Sequence, residues 1–171
     1  MFPFLVFLFF GLPVFSQDSA KYSWLVNSKK ISGNKYELTF TTSGSKGWQL
    51  YAPNQILNEV HTVEIEYPDS SIHTEGIFQD SGKVKEIKSK IFETLITIYE
   101  ENTTWKTIIK FDSAVPAQLQ GSLKFSYGKD NEFIFKTSDF TFNVGLEGGA
   151  QHEDVRIAAR ETVGVHEAPH P

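Results

Sequence analysis

The sequence predicts an all-β protein, an antiparallel two-layer sandwich of eight or nine strands, with a small closed barrel as the alternative. Three observations carry that expectation. Short runs alternating apolar and polar residues recur through the body of the chain, clusters of turn-forming residues separate them, and no helix of useful length is visible.

The chain opens with Met1 to Phe15, MFPFLVFLFFGLPVF, an uncharged apolar run that meets Ser16 and then the polar Gln17-Asp18-Ser19. This is the pattern of a secretory signal peptide over residues 1–16, cleaved near Ser16-Gln17. Its roughly 15 apolar residues fall short of the ~20 a bilayer-spanning helix requires, so no stable membrane span is expected after cleavage. The expected location is the periplasm or the outside of the cell.

The body, 17–144, is read as one β-sandwich domain. Tyr36, Leu38 and Phe40 share one face while Glu37, Thr39 and Thr41 share the other. The same period of two recurs in Val63 to Tyr67, Leu95 to Tyr99, Trp105 to Phe111, Leu123 to Tyr127 and Phe140 to Val144. Turns are expected at Ser32-Gly33-Asn34, Ser43-Gly44-Ser45, Tyr67-Pro68-Asp69, Asp80-Ser81-Gly82, Glu101-Asn102 and Gly128 to Asn131. Ser81 to Phe92 fits two readings. Val84, Ile87 and Ile91 have helical spacing, yet a charged edge strand suits the surrounding lysines equally well. In the last segment, 145–171, the only two arginines of the protein appear, Arg156 and Arg160, and the alternation ceases. That segment reads as a flexible or foreign tail, with one thin helical stretch between Glu153 and Thr162 at most.

Composition excludes several kinds of chemistry. With 171 residues and a net charge of -5, lysines interleaved with acidic residues, the chain has no basic stripe for nucleic acid. The absence of cysteine removes thiolate metal sites, a disulfide framework, a cysteine nucleophile and a lipoprotein anchor together. His61, His73, His152, His166 and His170 form no ligand spacing, so neither a metal nor another cofactor is expected. No G-x-S-x-G elbow and no phosphate-cradling glycine loop occurs. Glu100-Glu101 is read as a solvated hairpin tip and the sequon Asn102-Thr103-Thr104 as chance. Trp24, Trp48, Tyr51, Trp105, Phe111, Phe125, Phe140 and Phe142 lie mostly at alternating inward positions and are expected to fill the core rather than form a carbohydrate platform.

Two stretches carry a family resemblance. Lys35-Tyr36-Glu37-Leu38-Thr39-Phe40 leads into Gly47-Trp48-Gln49-Leu50-Tyr51, and Gly121-Ser122-Leu123-Lys124-Phe125-Ser126-Tyr127 follows later. In both, the chain resembles the N-terminal periplasmic domain of the thiol:disulfide interchange protein DsbD family, over roughly Tyr22 to Val144. The resemblance implies an immunoglobulin-like sandwich. It also implies, in redox-active members, two cysteines a few residues apart on one hairpin, passing reducing equivalents to periplasmic partners in disulfide reduction and cytochrome c biogenesis. Here the matching positions are Gly128 and Phe133, and Phe135-Lys136 stands where a Pro-Pro commonly follows. Exchange requires thiolate attack on a disulfide sulfur, so the family's oxidoreductase chemistry is unavailable to this chain. The reading that follows is a redox-inactive module, not an enzyme, that works by contact with a periplasmic protein, with Tyr127, Gly128, Phe133 and Phe135 as the partner-binding residues. A secreted ligand- or glycan-binding sandwich is the alternative, and a hydrolase ranks last.

Overall fold

The computed structural model describes residues 21–144 and, as backbone, the pair Val155–Arg156. The predicted leader, and the tail apart from that pair, lie outside the described residues. The strands in chain order are β1 (Trp24–Ser32), β2 (Lys35–Thr42), β3 (Gln49–Tyr51), β4 (Ile56–Leu57), β5 (Val60–His61), β6 (Val63–Glu66), β7 (Ile72–Lys88), β8 (Leu95–Phe111), β9 (Gln118–Lys129), β10 (Glu132–Asn143) and β11 (Val155–Arg156). No helix occurs among the described residues, and every pairing is antiparallel. Nine strands form one sheet, hydrogen-bonded in the order β10-β9-β3-β8-β2-β1-β11 with β6 on β9 and β7 on β8, while β4 and β5 form a separate pair.

That sheet curls into two layers because β8 serves both. Its first half pairs Ile98 and Tyr99 with β3, and its second half pairs Thr103 to Lys110 with β2. β7 follows β8 through both halves. The layers meet through aromatic rings. Phe40 of β2 lies 5.5 Å from Phe140 of β10, and Trp24 of β1 lies 5.3 Å from Phe125 of β9, both edge-on. Trp24 and Trp105, their centroids 4.5 Å apart, occupy the middle and are essentially without solvent exposure. Edge-on rings bring the positive rim of one to the negative face of the next, adding about 0.5–1.5 kcal/mol per pair to the area they bury. β10 pairs only with β9 among the described residues, so the sheet stays open along that strand, a sandwich rather than a closed barrel.

Two predicted turns are strand interior instead. Asp80-Ser81-Gly82 lies inside β7 and Glu101-Asn102 inside β8, nearly opposite each other, with Ser81 paired to Thr104 and Gly82 to Thr103. Turn-forming residues serve here as a bend. The register shifts between Gly82 and Val84, and Gly82 takes φ 143°, which tolerates the bulge that lets both strands cross from one layer to the other. Glu100 and Glu101 are therefore mid-strand, where Lys85 (3.1 Å) and Lys83 (3.0 Å) pair with them from β7. Ser81 to Lys88 is strand rather than helix. Val84 and Ile87 emerge on opposite faces, Ile87 packed inward and Val84 exposed, because pairing with β8 outweighs the helical spacing. In the tail, Val155–Arg156 pairs with Val26 and Leu25 at the β1 edge.

Where strands end, carboxamides take over their pairing. Beyond β3 the Gln55 side chain behaves as a strand partner for Thr97: its Oε1 accepts the Thr97 N–H at 2.7 Å and its Nε2 donates to the Thr97 carbonyl at 2.9 Å. The neighbouring Asn54, at φ 64°, does the same for the bulged Phe78, accepting its N–H at 3.1 Å and donating to its carbonyl at 2.8 Å. Phe78 is thereby held in the core, 6.4 Å from Trp105. Unpaired backbone groups at a sheet interior are costly, so Gln55→Ala is expected to lower the unfolding free energy by about 1–2 kcal/mol, measured by urea titration.

Candidate functional site

The sequence points to the β9–β10 hairpin, and its ladder is unbroken there. A two-residue turn, Asp130-Asn131 with Asp130 at φ 53°, joins Lys129 to Glu132. Ile134 then faces Tyr127, Phe133 faces Gly128 and Phe135 faces Ser126. On its other side β9 meets β3, with Gln49 opposite Gly128 and Leu50 opposite Tyr127. Side chains alternate, so Tyr127, Ile134 and Leu50 turn to the main core, while Gly128, Phe133, Phe135 and Tyr51 share the outer face.

A second, smaller apolar cluster covers that outer face. Tyr51, Leu57, Ile96 and Ile98 are buried in it, with Ile87, Phe92 and Phe133 packed at its margin. Three rings close it over the hairpin: Phe133 lies 5.5 Å from Tyr51 and 5.1 Å from Phe92, and Tyr51 lies 6.5 Å from Phe92. Phe92 comes from the loop between β7 and β8. There the Ser89 hydroxyl accepts the N–H groups of Ile91 and Phe92, the Ser89 N–H donates to the Thr94 carbonyl at 2.9 Å, and Glu93 takes φ 54°. In the sequence Tyr51 reads as a core residue and as the end of the Gly47 to Tyr51 element, and Phe92 lies in the ambiguous stretch. The local signal was Ser89 three residues before Phe92, the spacing of a serine-anchored turn.

The four predicted partner-binding residues thus divide by exposure. Tyr127 and Gly128 are buried; Tyr127 packs against Phe125, Tyr22 and Trp48. Phe133 and Phe135 are half-buried and reach the surface. Gly128 and Phe133, the positions matching the family's cysteines, stand directly opposite across the ladder. Directly opposite residues of an antiparallel pair have Cα atoms about 4.5–5.5 Å apart, within the span of a disulfide. The register suits a sulfur bridge; the side chains do not. A Cβ at Gly128 would come within 2.5 Å of the Glu132 carbonyl oxygen and 2.9 Å of the Tyr51 hydroxyl, so the tyrosine occupies the space a side chain would need.

No group of three or more metal-ligating side chains occurs among the described residues. His73 pairs with Asp112 at 2.7 Å, and Lys110 and His73 together hold that carboxyl below the usual range. The tail histidines lie outside the described residues. The exposed large apolar side chains, Ile31, Ile56, Val60, Ile77, Val84 and Leu95, include no aromatic. Trp48 is half-buried on Tyr127, with Lys21 and Lys129 over its ring at 5.5 and 6.0 Å. Of the eight aromatics read as core, seven are buried and Trp48 is half-buried against Tyr127.

Two measurements follow from this packing. Gly128→Ala is expected to destabilise the protein by about 1–3 kcal/mol in urea titration, since backbone and ring must both move. Burial raises the Tyr51 phenol above its ordinary value, as it does for Tyr22 and Tyr67. A raised phenol favours the folded state below the unfolded value and loses that contribution as pH climbs through the folded one. Stability is therefore expected to hold up to about pH 10 and fall above it, with tyrosinate absorbance rising together with unfolding.

No family model matches the sequence, and no curated protein matches it. Among solved structures the chain is similar to the N-terminal periplasmic domain of ScsB from Proteus mirabilis, with 14% identity and a TM-score of 0.54 over 75% of this chain and 49% of that one. The chain thus spans about half the length of the ScsB structure it matches. A second similar structure is the N-terminal domain of Neisseria meningitidis DsbD in the reduced form, at 12% identity and a TM-score of 0.43, covering 72% of this chain and 87% of that one. The first likeness agrees with the fold the resemblance implies: an all-β sandwich of the kind seen in the ScsB periplasmic domain, built here with no cysteine at all.

Proposed function

We propose that this chain is an exported sandwich module of the DsbD type that has no redox pair and acts by protein contact through the hairpin from Tyr127 to Phe135. The observation that carries the reading is the fate of the two cysteine-matched positions. They face each other in the register a redox pair would need, yet one is a glycine sealed by Tyr51 and the other a phenylalanine at the surface margin. Chemistry is removed and apolar surface put in its place. Phe133 and Phe135 project from a hairpin anchored by β3 and by the second cluster, so they meet a partner without first being ordered, which keeps the entropic cost of association low. Aromatic side chains in such settings carry a disproportionate share of binding energy. The uncharged apolar leader and the periplasmic origin of the similar ScsB domain support export to the periplasm or beyond.

The test is capture of periplasmic proteins by the purified chain and by Phe133→Ser, with circular dichroism to establish that the variant keeps its sheet. Recovery of the partner is expected to fall about tenfold in the variant. Equal recovery from the two would remove the hairpin as the contact site, and disulfide-reducing turnover by the purified chain would overturn the reading altogether.

A further inference from the structure

The sheet has two long outer strands, and they are treated differently. β7 is protected along its length: two bulges interrupt its register, Lys83, Lys85 and Lys88 line it, and Asn54 occupies the backbone of Phe78. These are the devices by which edge strands avoid pairing with other chains. At the tip of β10 the bulge and the side-chain clasp are missing, and charge is confined to the two ends of the segment. Glu132 to Lys136 pairs with β9 alone among the described residues, is not bulged, and places three uncharged apolar residues in a row.

The hairpin geometry fixes which backbone groups look outward there. A two-residue loop makes Lys129–Glu132 the closing hydrogen-bonded pair, so Glu132, Ile134 and Lys136 direct their amides to β9 while Phe133 and Phe135 direct theirs to the open side. The five residues Glu132-Phe133-Ile134-Phe135-Lys136 are also self-complementary when run antiparallel about Ile134. Glu132 then meets Lys136 of a second copy, Phe133 meets its Phe135, and Ile134 meets its Ile134. The outward-facing pair, Phe133 with Phe135, becomes the hydrogen-bonded one, as the ladder requires, and the like rings stack on the outer face. Two-fold pairing makes the Glu132–Lys136 and Phe133–Phe135 interactions each occur twice, with the Ile134 pair on the axis.

We infer that the contact hairpin's partner is a second copy of this chain, joined by antiparallel addition of β10 to β10 centred on Ile134. The inference rests on the reading of the hairpin as a contact site and names its partner. A five-residue seam is small beside the ~1,200 Å² of a standard interface, so the association is weak and reversible.

The test is sedimentation of the full chain over a concentration series reaching about 100 µM, where a monomer–dimer equilibrium is expected. Phe135→Pro removes an outward N–H without touching the ladder to β9 and is expected to leave a monomer. Glu132→Lys and Lys136→Glu, made singly, each set like charges opposite one another twice and are expected to weaken the dimer about tenfold. Made together they restore the pairing in reversed sense, and the dimer is expected to return. A monomer throughout the series, or a dimer indifferent to Phe135→Pro and to the charge reversals, overturns the inference. If the dimer fails while capture of a different protein still depends on Phe133, the partner is another chain and the contact reading stands; if capture ignores Phe133 as well, both fall.

Discussion

The architecture depends on a single strand being shared between two layers. β8 runs for 17 residues, and its two halves pair with different neighbours, β3 and then β2. Everything on one side of the sandwich is thereby tied through backbone hydrogen bonds to everything on the other. Trp105 sits just past the change of layer, against Trp24 and Phe78, and fills the space the bend opens. Gly44 shows how closely the chain packs at the crossing: a Cβ there would lie 2.5 Å from the Glu100 carbonyl oxygen, so the loop after β2 reaches the backbone of β8 only because it carries no side chain.

The hairpin inherits its rigidity from this arrangement. β9 is flanked on one side by β10 and on the other by β6 and then β3, so the segment leading to Phe133 is held from both edges. Tyr51 links the two ideas of the molecule, as a buried ring in the second cluster and as the group lying over Gly128. A hydroxyl-bearing ring over a glycine shields the exposed backbone of a strand as a larger residue there would. The space is filled by the hydroxyl end of the Tyr51 ring.

Alternation made most of the fold legible. Tyr36, Leu38 and Phe40 are buried while their neighbours are half-exposed, and Trp105, Ile109 and Phe111 behave alike. Misreadings came where residue type and tertiary context disagree. Asp80-Ser81-Gly82 and Glu101-Asn102 have turn chemistry, but a strand that changes layers needs the same local freedom as a turn, and the sequence does not distinguish the two uses. Val84 and Ile87 have helical spacing, yet each is decided by what lies across from it on β8. At the hairpin, the family resemblance picks out Gly128 and Phe133 as the cysteine-matched positions, but their direct opposition comes from the two-residue loop Asp130-Asn131, which a turn expected over Gly128 to Asn131 does not specify. The covering trio was not legible, because Phe92 reaches Phe133 only after a loop more than thirty residues away in sequence folds back, a contact no local pattern encodes.

The carboxamides of Asn54 and Gln55 carry a consequence for how the molecule ages. Each holds a strand edge by offering one donor and one acceptor to a single residue, a task no carboxylate performs, since an ionised acid only accepts. Spontaneous deamidation of either would turn a clasp into a negative charge facing backbone carbonyls. Slow hydrolysis of one amide would thus loosen the sheet where it is clasped, at Thr97 in the interior strand β8 or at Phe78 in β7, from the β3–β4 connection outward.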